Sequence, residues 1–332
     1  MSTPDSKSND RSYVEGLNEA LREEMRINPL VFVLGEDVGN MGGLFSVTKG
    51  LREEFGRQRV IDTPISEAAI AGAGVGSALV GARPVIELQF LDFVTIAMDQ
   101  IVNHAAKLRY MSGGMVSIPL VVRAPVCLGV GLGAQHSQSL ESWFVHVPGL
   151  KVVMPSDPAD AKGLLKSAIR DNNPVIFLES RMLYSMSGPI PAGEHLVPLG
   201  TAAVKRPGSD ITLVATGRTV GLALAAAGKL AKEGTEVEVI DPRTLKPLDS
   251  ATILQSVRKT NRLVVASDAW HTCGYAAEIM AGVVEECFYE LDAPPQRVCT
   301  RDTPMPVAPS LQKAVMVSEE EIIAACRRTL AA

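Results

Sequence analysis

Between Arg59 and Phe93 the chain reads RVIDTPISEAAIAGAGVGSALVGARPVIELQFLDF, and this stretch restricts the possible folds more than any other. It predicts a short apolar strand at Val60 and Ile61, a turn through Asp62, Thr63 and Pro64, a helix of small residues, and a second strand from Val85 to Leu88. The fifteen residues between Glu67 and Arg83 carry no charge, and four of them are glycine, at 72, 74, 76 and 81. A glycine inside a helix costs about 1 kcal/mol relative to alanine, so four together need a compensating reason. Close approach supplies one, because a helix without bulky side chains lets another backbone or a flat ligand come within contact distance. Glu67 stands at the mouth of that surface and is the candidate catalytic group. A plainer role is open to it as well, that of a first-turn acid favoured by the helix dipole. The uncharged run is shorter than the roughly 20 apolar residues that span a bilayer, which argues against a membrane segment.

A chain of 332 residues exceeds the size at which one core keeps growing, so two domains are expected. With 46% hydrophobic and 21% charged residues it reads as a packed globule, neither disordered nor fibrous. A net charge of -5 argues against nucleic acid as a partner. The five cysteines, at 127, 273, 287, 299 and 326, are scattered and odd in number, which indicates neither a disulfide framework nor a zinc site and suits a reducing cytoplasm. Residues 1 to 11 are polar and resemble no targeting peptide; they read as a flexible tail.

Ser12 and Glu15 form a capping box ahead of a helix with Val14, Leu17, Leu21 and Met25 on one face. Leu30 to Leu34 is a continuous apolar strand of the kind buried on both faces in a parallel sheet, and Glu36 lies just past its carboxyl end. Phe93 to Tyr110 is expected as one amphipathic helix with Ile96, Ile101, Ala105 and Leu108 inward. A strand at Ser117 to Arg123 precedes a glycine-rich loop, Gly129 to Gly133, that runs into His136. Taken alone, a loop histidine is as well explained by structure or exposure as by chemistry. Further strands at Leu150 to Met154 and Val175 to Leu178 flank a helix capped by Asp157 and Pro158, so strand and helix alternate as in a doubly wound sheet. Residues 181–197 read as a linker. Strands at Ile211 to Ala215, Val237 to Ile240 and Leu263 to Ala266 then mark a second, smaller α/β domain, in which Asp268, His271 and Cys273 read as structural.

Five phrases, in order, resemble one family: IDTPISE from 61, DQIVNHAAKLRYMSGG from 99, GAQHSQSLESWFVHVPGLKVVMPSDPADAKGLL from 133, AIRDNNPVIFLES from 168 and EVIDPRTLKPLD from 238. The chain is similar over residues 12 to 330 to the beta subunit of the thiamine-diphosphate-dependent decarboxylating component of 2-oxo acid dehydrogenase complexes, whose members act on pyruvate, branched-chain 2-oxo acids or acetoin. The resemblance implies two doubly wound domains. Residues 12–180 are then a pyrimidine-binding transketolase-like domain, and residues 198–332 a C-terminal domain for assembly and docking on the lipoyl acyltransferase core.

The same resemblance implies half an active site. The beta subunit holds the aminopyrimidine of thiamine diphosphate, and an alpha subunit in an alpha2-beta2 heterotetramer holds the diphosphate and its magnesium; the GDG…N pattern of that half is missing here. Glu67 is then the acid on the pyrimidine ring nitrogen, Phe93 the ring that stacks on it, and Gln89 and Glu36 line the pocket. His136 then reaches the reactive carbon and either assists acyl transfer to lipoyl groups or stabilises the intermediate. A carboxyl in an apolar wall can hold or give a proton near neutrality, as that role requires. Leu120, Ala168, Ile169, Asp171 and Asn173 match a potassium loop, although a helix end capped by Asn explains the same residues. The small-residue helix suggests a beta–beta self-contact. GEDVGNMGGLFSVTKGL is closer to the acetoin and pyruvate types, and EECFYELDAPPQRVC to the branched-chain type, so the substrate stays open. Two other readings remain: the C-terminal half of a split transketolase, and an assembly subunit without chemistry.

Overall fold

The central strands of this chain are rich in buried apolar residues, and in the computed structural model, which describes residues 10–332, they pair in parallel and are covered on both faces. The strands are β1 (Asp10–Ser12), β2 (Val31–Gly35), β3 (Val60–Asp62), β4 (Arg83–Glu87), β5 (Val121–Val126), β6 (Lys151–Val153), β7 (Val175–Ser180), β8 (Ser187–Pro189), β9 (Ala203–Arg206), β10 (Ile211–Ala215), β11 (Val237–Asp241), β12 (Thr244–Lys246), β13 (Leu263–Trp270) and β14 (Gln296–Thr300). One sheet runs β12-β6-β7-β5-β4-β2-β3 and a second β14-β13-β10-β11-β9. The expected pair of doubly wound α/β units is present.

Alternate side chains of the first sheet feed different cores. Val33, Val85, Val121 and Val175 pack on the helices Tyr13–Ile27 and Pro158–Arg170, while Leu34, Ile86, Val122 and Ile176 face the helix Glu67–Leu79. This second core continues into the other unit through Val214, Ile240 and Val265, so the two sheets share one apolar interior. β12 strengthens the link: Thr244 and Lys246 belong to the C-terminal stretch, yet they pair antiparallel with β6 and complete the first sheet.

Four expectations need correction. Asp10 and Arg11, counted in the tail, form β1 against Gly188 and Pro189 of the linker; the rest of the tail, residues 1–9, lies outside the described residues. The linker is fastened as well, with Tyr13 and Val14 donating their amide hydrogens to the carbonyls of Met186 and Tyr184. The single helix over 93–110 is broken into a 3-10 turn (Leu91–Phe93), an α-helix (Val94–Met98), a π-helix (Asp99–Ala105) and a short helix (Leu108–Met111). The wider π turn, closed by Ala106 N–H on the Ile101 carbonyl at 3.0 Å, keeps Val94, Ala97, Ile101 and Ala105 inward and leaves Ile96 57% exposed. Finally, the strand expected at Ser117 begins only at Val121, after an extended approach.

The helix Glu67–Leu79 accounts for its glycines in two ways. A Cβ on Gly74 would lie 2.9 Å from Ile86 Cγ2 and 3.0 Å from Leu120 Cδ1, so the helix sits on β4 more closely than alanine would allow. Nothing lies within 4 Å of a Cβ on Gly76, which faces outward.

Candidate active site

Parallel strands deliver their following loops to one edge of a sheet, and that carboxyl edge is where the chemistry-bearing residues of the first unit collect. Glu36 follows β2, Glu67 opens the helix after β3, Gln89, Phe90 and Phe93 follow β4, and His136 lies on the loop after β5. Glu67 is 5% exposed, and among the described residues no protein group hydrogen-bonds its carboxylate. Burial, followed by the charges of Glu67 and Asp37, raises the pKa of Glu36, which places Glu36 and Glu67 within one electrostatic neighbourhood.

The same edge carries an aromatic corner. The Phe93 ring lies 5.4 Å from His136 at 77°, Phe90 lies 5.1 Å from His136 at 81°, and the two phenyl rings are 5.4 Å apart. All three contacts are edge-to-face, the arrangement favoured by ring quadrupoles. Asp92, between the two phenylalanines, is buried, and Gln138 donates to its Oδ1 from the backbone at 3.1 Å and from Nε2 at 2.9 Å. Burial raises the Asp92 pKa, with the Gln138 hydrogen bonds working against it.

Below this edge lies a buried ion cluster. Arg123 on β5, 1% exposed, donates to both oxygens of Glu179 on β7 at 2.7 and 2.8 Å, and also to Glu87 on β4. Burial opposes the guanidinium charge, but Glu179 and Glu87 outweigh it and hold the group protonated. Tyr184 donates to Glu179, so the ends of three neighbouring strands are pinned together under the site.

The residues matched to a potassium loop gather at the opposite, amino edge of the sheet, away from Glu67. The Leu120 carbonyl accepts from Val175 N–H at 2.8 Å and that of Ala168 from Asp171 N–H at 3.2 Å. Arg83, which the sequence reading did not include, donates to the carbonyls of Ile169 at 2.9 Å and Asp171 at 2.7 Å. Lys151 pairs with the Asp171 carboxylate, and Arg109 donates to Asn173 Oδ1 at 2.8 Å. The donor set is hard oxygen throughout, the kind a monovalent cation takes, and Arg83 already holds two of its carbonyls.

In the second unit, Asp268 is taken up by Arg218, whose Nε donates to it at 2.9 Å. That ion pair agrees with the structural reading of the Asp268, His271 and Cys273 group, and no cluster of three or more metal-ligating side chains occurs among the described residues. Phe90, Asp92, Gln138 and the Arg123 cluster were not foreseen. Their signals are present in the sequence: Asp92 is the one charge between Glu87 and Asp99, and Arg123 interrupts an otherwise apolar strand.

A model described as the transketolase pyrimidine-binding domain matches residues 9–186, and one described as the transketolase C-terminal domain matches residues 200–322. The chain is 48% identical over 318 residues to the pyruvate dehydrogenase E1 component subunit beta-2 of Oryza sativa subsp. japonica, covering 95% of this chain and 85% of that protein. It is 46% identical to the 2-oxoisovalerate dehydrogenase subunit beta of Bacillus subtilis, covering 95% and 97%. Against the acetoin:2,6-dichlorophenolindophenol oxidoreductase subunit beta of Cupriavidus necator it is 47% identical, covering 95% and 96%. A solved structure titled as a split gene transketolase, inactive beta4 tetramer, matches with a TM-score of 0.79 over 96% of this chain and 98% of that one, at 23% identity, a likeness of fold. The chain belongs to the transketolase-like family of beta subunits of the thiamine-diphosphate-dependent 2-oxo acid and acetoin dehydrogenases.

Proposed function

We propose that this chain supplies the pyrimidine half of a thiamine diphosphate site to an alpha2-beta2 enzyme that cleaves a 2-oxo acid or acetoin beside its carbonyl and passes the acyl group to a lipoyl acyltransferase core. One observation carries the proposal: a buried carboxylate without a protein partner, Glu67, shares one sheet edge with an aromatic corner of Phe90, Phe93 and His136. Glu67 would hold and move the proton at a ring nitrogen of the cofactor, Phe93 would stack on the pyrimidine, and Gln89 and Glu36 would line its pocket. His136 would act as acid or base during acyl transfer. Thiamine diphosphate, when bound, supplies the carbanion chemistry that no side chain of this protein can provide.

The partner arrangement has support of its own. Ile65, Val80, Tyr110, Met111 and Met115 are 72% to 90% exposed, apolar side chains of the kind that a second subunit, alpha or beta, covers. Exposed Glu285, Glu286, Phe288 and Tyr289 form an acidic and aromatic edge on the second unit, where we place the docking of a basic segment of the acyltransferase core. The alpha subunit would bring the diphosphate and magnesium. The carbonyls of Leu120, Ala168, Ile169 and Asp171, with a contribution from Asn173, would bind potassium and brace the amino edge. Unpaired thiols and the absence, among the described residues, of a helix long and apolar enough to cross a membrane suit a cytoplasmic enzyme. The domain limits of 12–180 and 198–332 are kept, with β12 as the strand that crosses between them. Identities of 46% to 48% to dehydrogenase subunits favour this reading over a split transketolase, matched in fold alone at 23%.

The test is to co-express the chain with its alpha partner and assay cofactor-dependent turnover of pyruvate, 3-methyl-2-oxobutanoate and acetoin. Turnover of one of them supports the proposal and names the substrate. A complex that binds cofactor yet converts none of the three, and acts on sugar phosphates, would replace it with the transketolase reading.

A further inference from the structure

The loop that bears His136 has few polar ties to the rest of the protein. Gly129, Gly131 and Gly133 all adopt φ near +80°, a conformation that other residues enter only with strain, and a Cβ on Gly131 would meet nothing within 4 Å. His136 donates its amide hydrogen to Gly133 within the same loop at 3.3 Å. Among the described residues, the hydrogen bonds that tie residues 129–138 to the rest of the protein are two, and both end on Asp92 Oδ1. Asp92 itself is fixed, because it sits buried in the Leu91–Phe93 turn and cannot follow the loop outward. One of the two bonds comes from the Gln138 backbone and the other from its side chain, so a single carboxylate oxygen fixes both the path and the orientation of the chain two residues beyond His136.

We propose that Asp92 is a positioning residue that clamps the His136 loop to the Phe93 turn through Gln138 and thereby sets where the imidazole stands against Phe90 and Phe93. An ionised carboxylate accepting from two N–H groups makes hydrogen bonds of roughly twice the ordinary strength, enough to hold a segment with no other polar anchor. Apolar contacts of Gly129 and Gly133 with Met316, Met182 and Val307 seat the start of the loop, and Asp92 fixes its far end beyond His136. The proposal deepens the functional reading above and rests on His136 being the working group of the loop.

The test uses the complete alpha–beta complex and four variants: Asp92→Ala, Asp92→Asn, His136→Ala and the Asp92→Ala/His136→Ala pair. Two quantities are read, hydrogen exchange of residues 129–138 and lipoyl-dependent turnover. Asp92→Ala should raise exchange in the loop about tenfold or more. It should also lower kcat about 100-fold with KM for the oxo substrate unchanged, since a catalytic group misplaced by an ångström loses that much. Asp92→Asn keeps the accepting oxygen without the charge and should recover most of the loss in both readouts relative to Asp92→Ala. The double variant should be no slower than His136→Ala alone, because a clamp has nothing to position once the imidazole is gone. Unchanged exchange in Asp92→Ala, damage in Asp92→Asn equal to that in Asp92→Ala, or losses that multiply in the double variant would each overturn the proposal. If His136→Ala alone leaves turnover intact, the assigned role of His136 fails, while the exchange measurement still decides whether the clamp exists.

Discussion

The two sheets of this protein are built alike and end differently. In the second unit the acids at the carboxyl ends of the strands are engaged: Asp241 accepts from Ser156 Oγ and Arg243 N–H, and Asp268 is held by Arg218. In the first unit Glu67 is buried without a protein donor, Glu36 shares its electrostatic neighbourhood, and Asp92 keeps one buried oxygen, Oδ2, without a partner. Parallel strands bring loops to an edge in both cases. What separates a site from a scaffold is whether the polar groups gathered there are already satisfied, since an unsatisfied buried group costs stability and persists where something else uses it.

Substitutions at equivalent acids should break the two edges in different ways. Glu67→Gln removes a proton-carrying group while keeping shape, and should lower turnover of the complex by about 10² to 10⁴ with an unaltered melting temperature. Asp268→Ala leaves the Arg218 guanidinium largely buried and unpaired; it should cost about 3 to 5 kcal/mol in urea unfolding and change turnover per folded complex little. A variant of Glu67 that lost stability instead of rate would erase the contrast.

The glycines of the helix Glu67–Leu79 sharpen it further. Gly74→Val forces a side chain against Ile86 and Leu120 and should destabilise the chain by about 1 to 3 kcal/mol. Gly76→Ala meets nothing and should stabilise the isolated chain by up to about 1 kcal/mol. If the outward face receives a partner, the same Gly76→Ala weakens assembly, which sedimentation at graded concentrations would register.

A further expected effect is one of pH. Burial pushes the Asp241 carboxyl up to about 7, against the pull of Lys205. Its folded pKa therefore lies above the unfolded value of about 3.9, and the native state keeps a proton that the unfolded chain releases. The stability so contributed is complete below about pH 4 and is lost as pH rises through about 7. Relative to wild type, Asp241→Asn should show urea midpoints that fall less between those limits.

The sequence made the sheets legible because continuous apolar strands and capped helices are local signals: Ser12 with Glu15, and Asp157 with Pro158, cap helices as expected. The breaks in the 93–110 helix were not legible, since a π turn depends on what packs around it and its residues have ordinary helical propensities. Of the site, Glu67 was singled out from its place ahead of the glycine-rich helix, while its role and the choice of Phe93 and His136 came from family resemblance; taken singly, each had an ordinary structural explanation. Phe90 and Asp92 escaped notice because their importance lies in contacts across 46 positions of chain, Asp92 to Gln138. The Arg123 cluster needs three strands in register before a charge on each becomes one network.

The central claim is that the edge around Glu67 is half of a thiamine diphosphate site. It is tested most directly by calorimetric titration of thiamine diphosphate with magnesium into this chain alone, the alpha partner alone and their complex. The account predicts saturable binding at full strength in the complex only. Binding to this chain alone as tight as to the complex would contradict it.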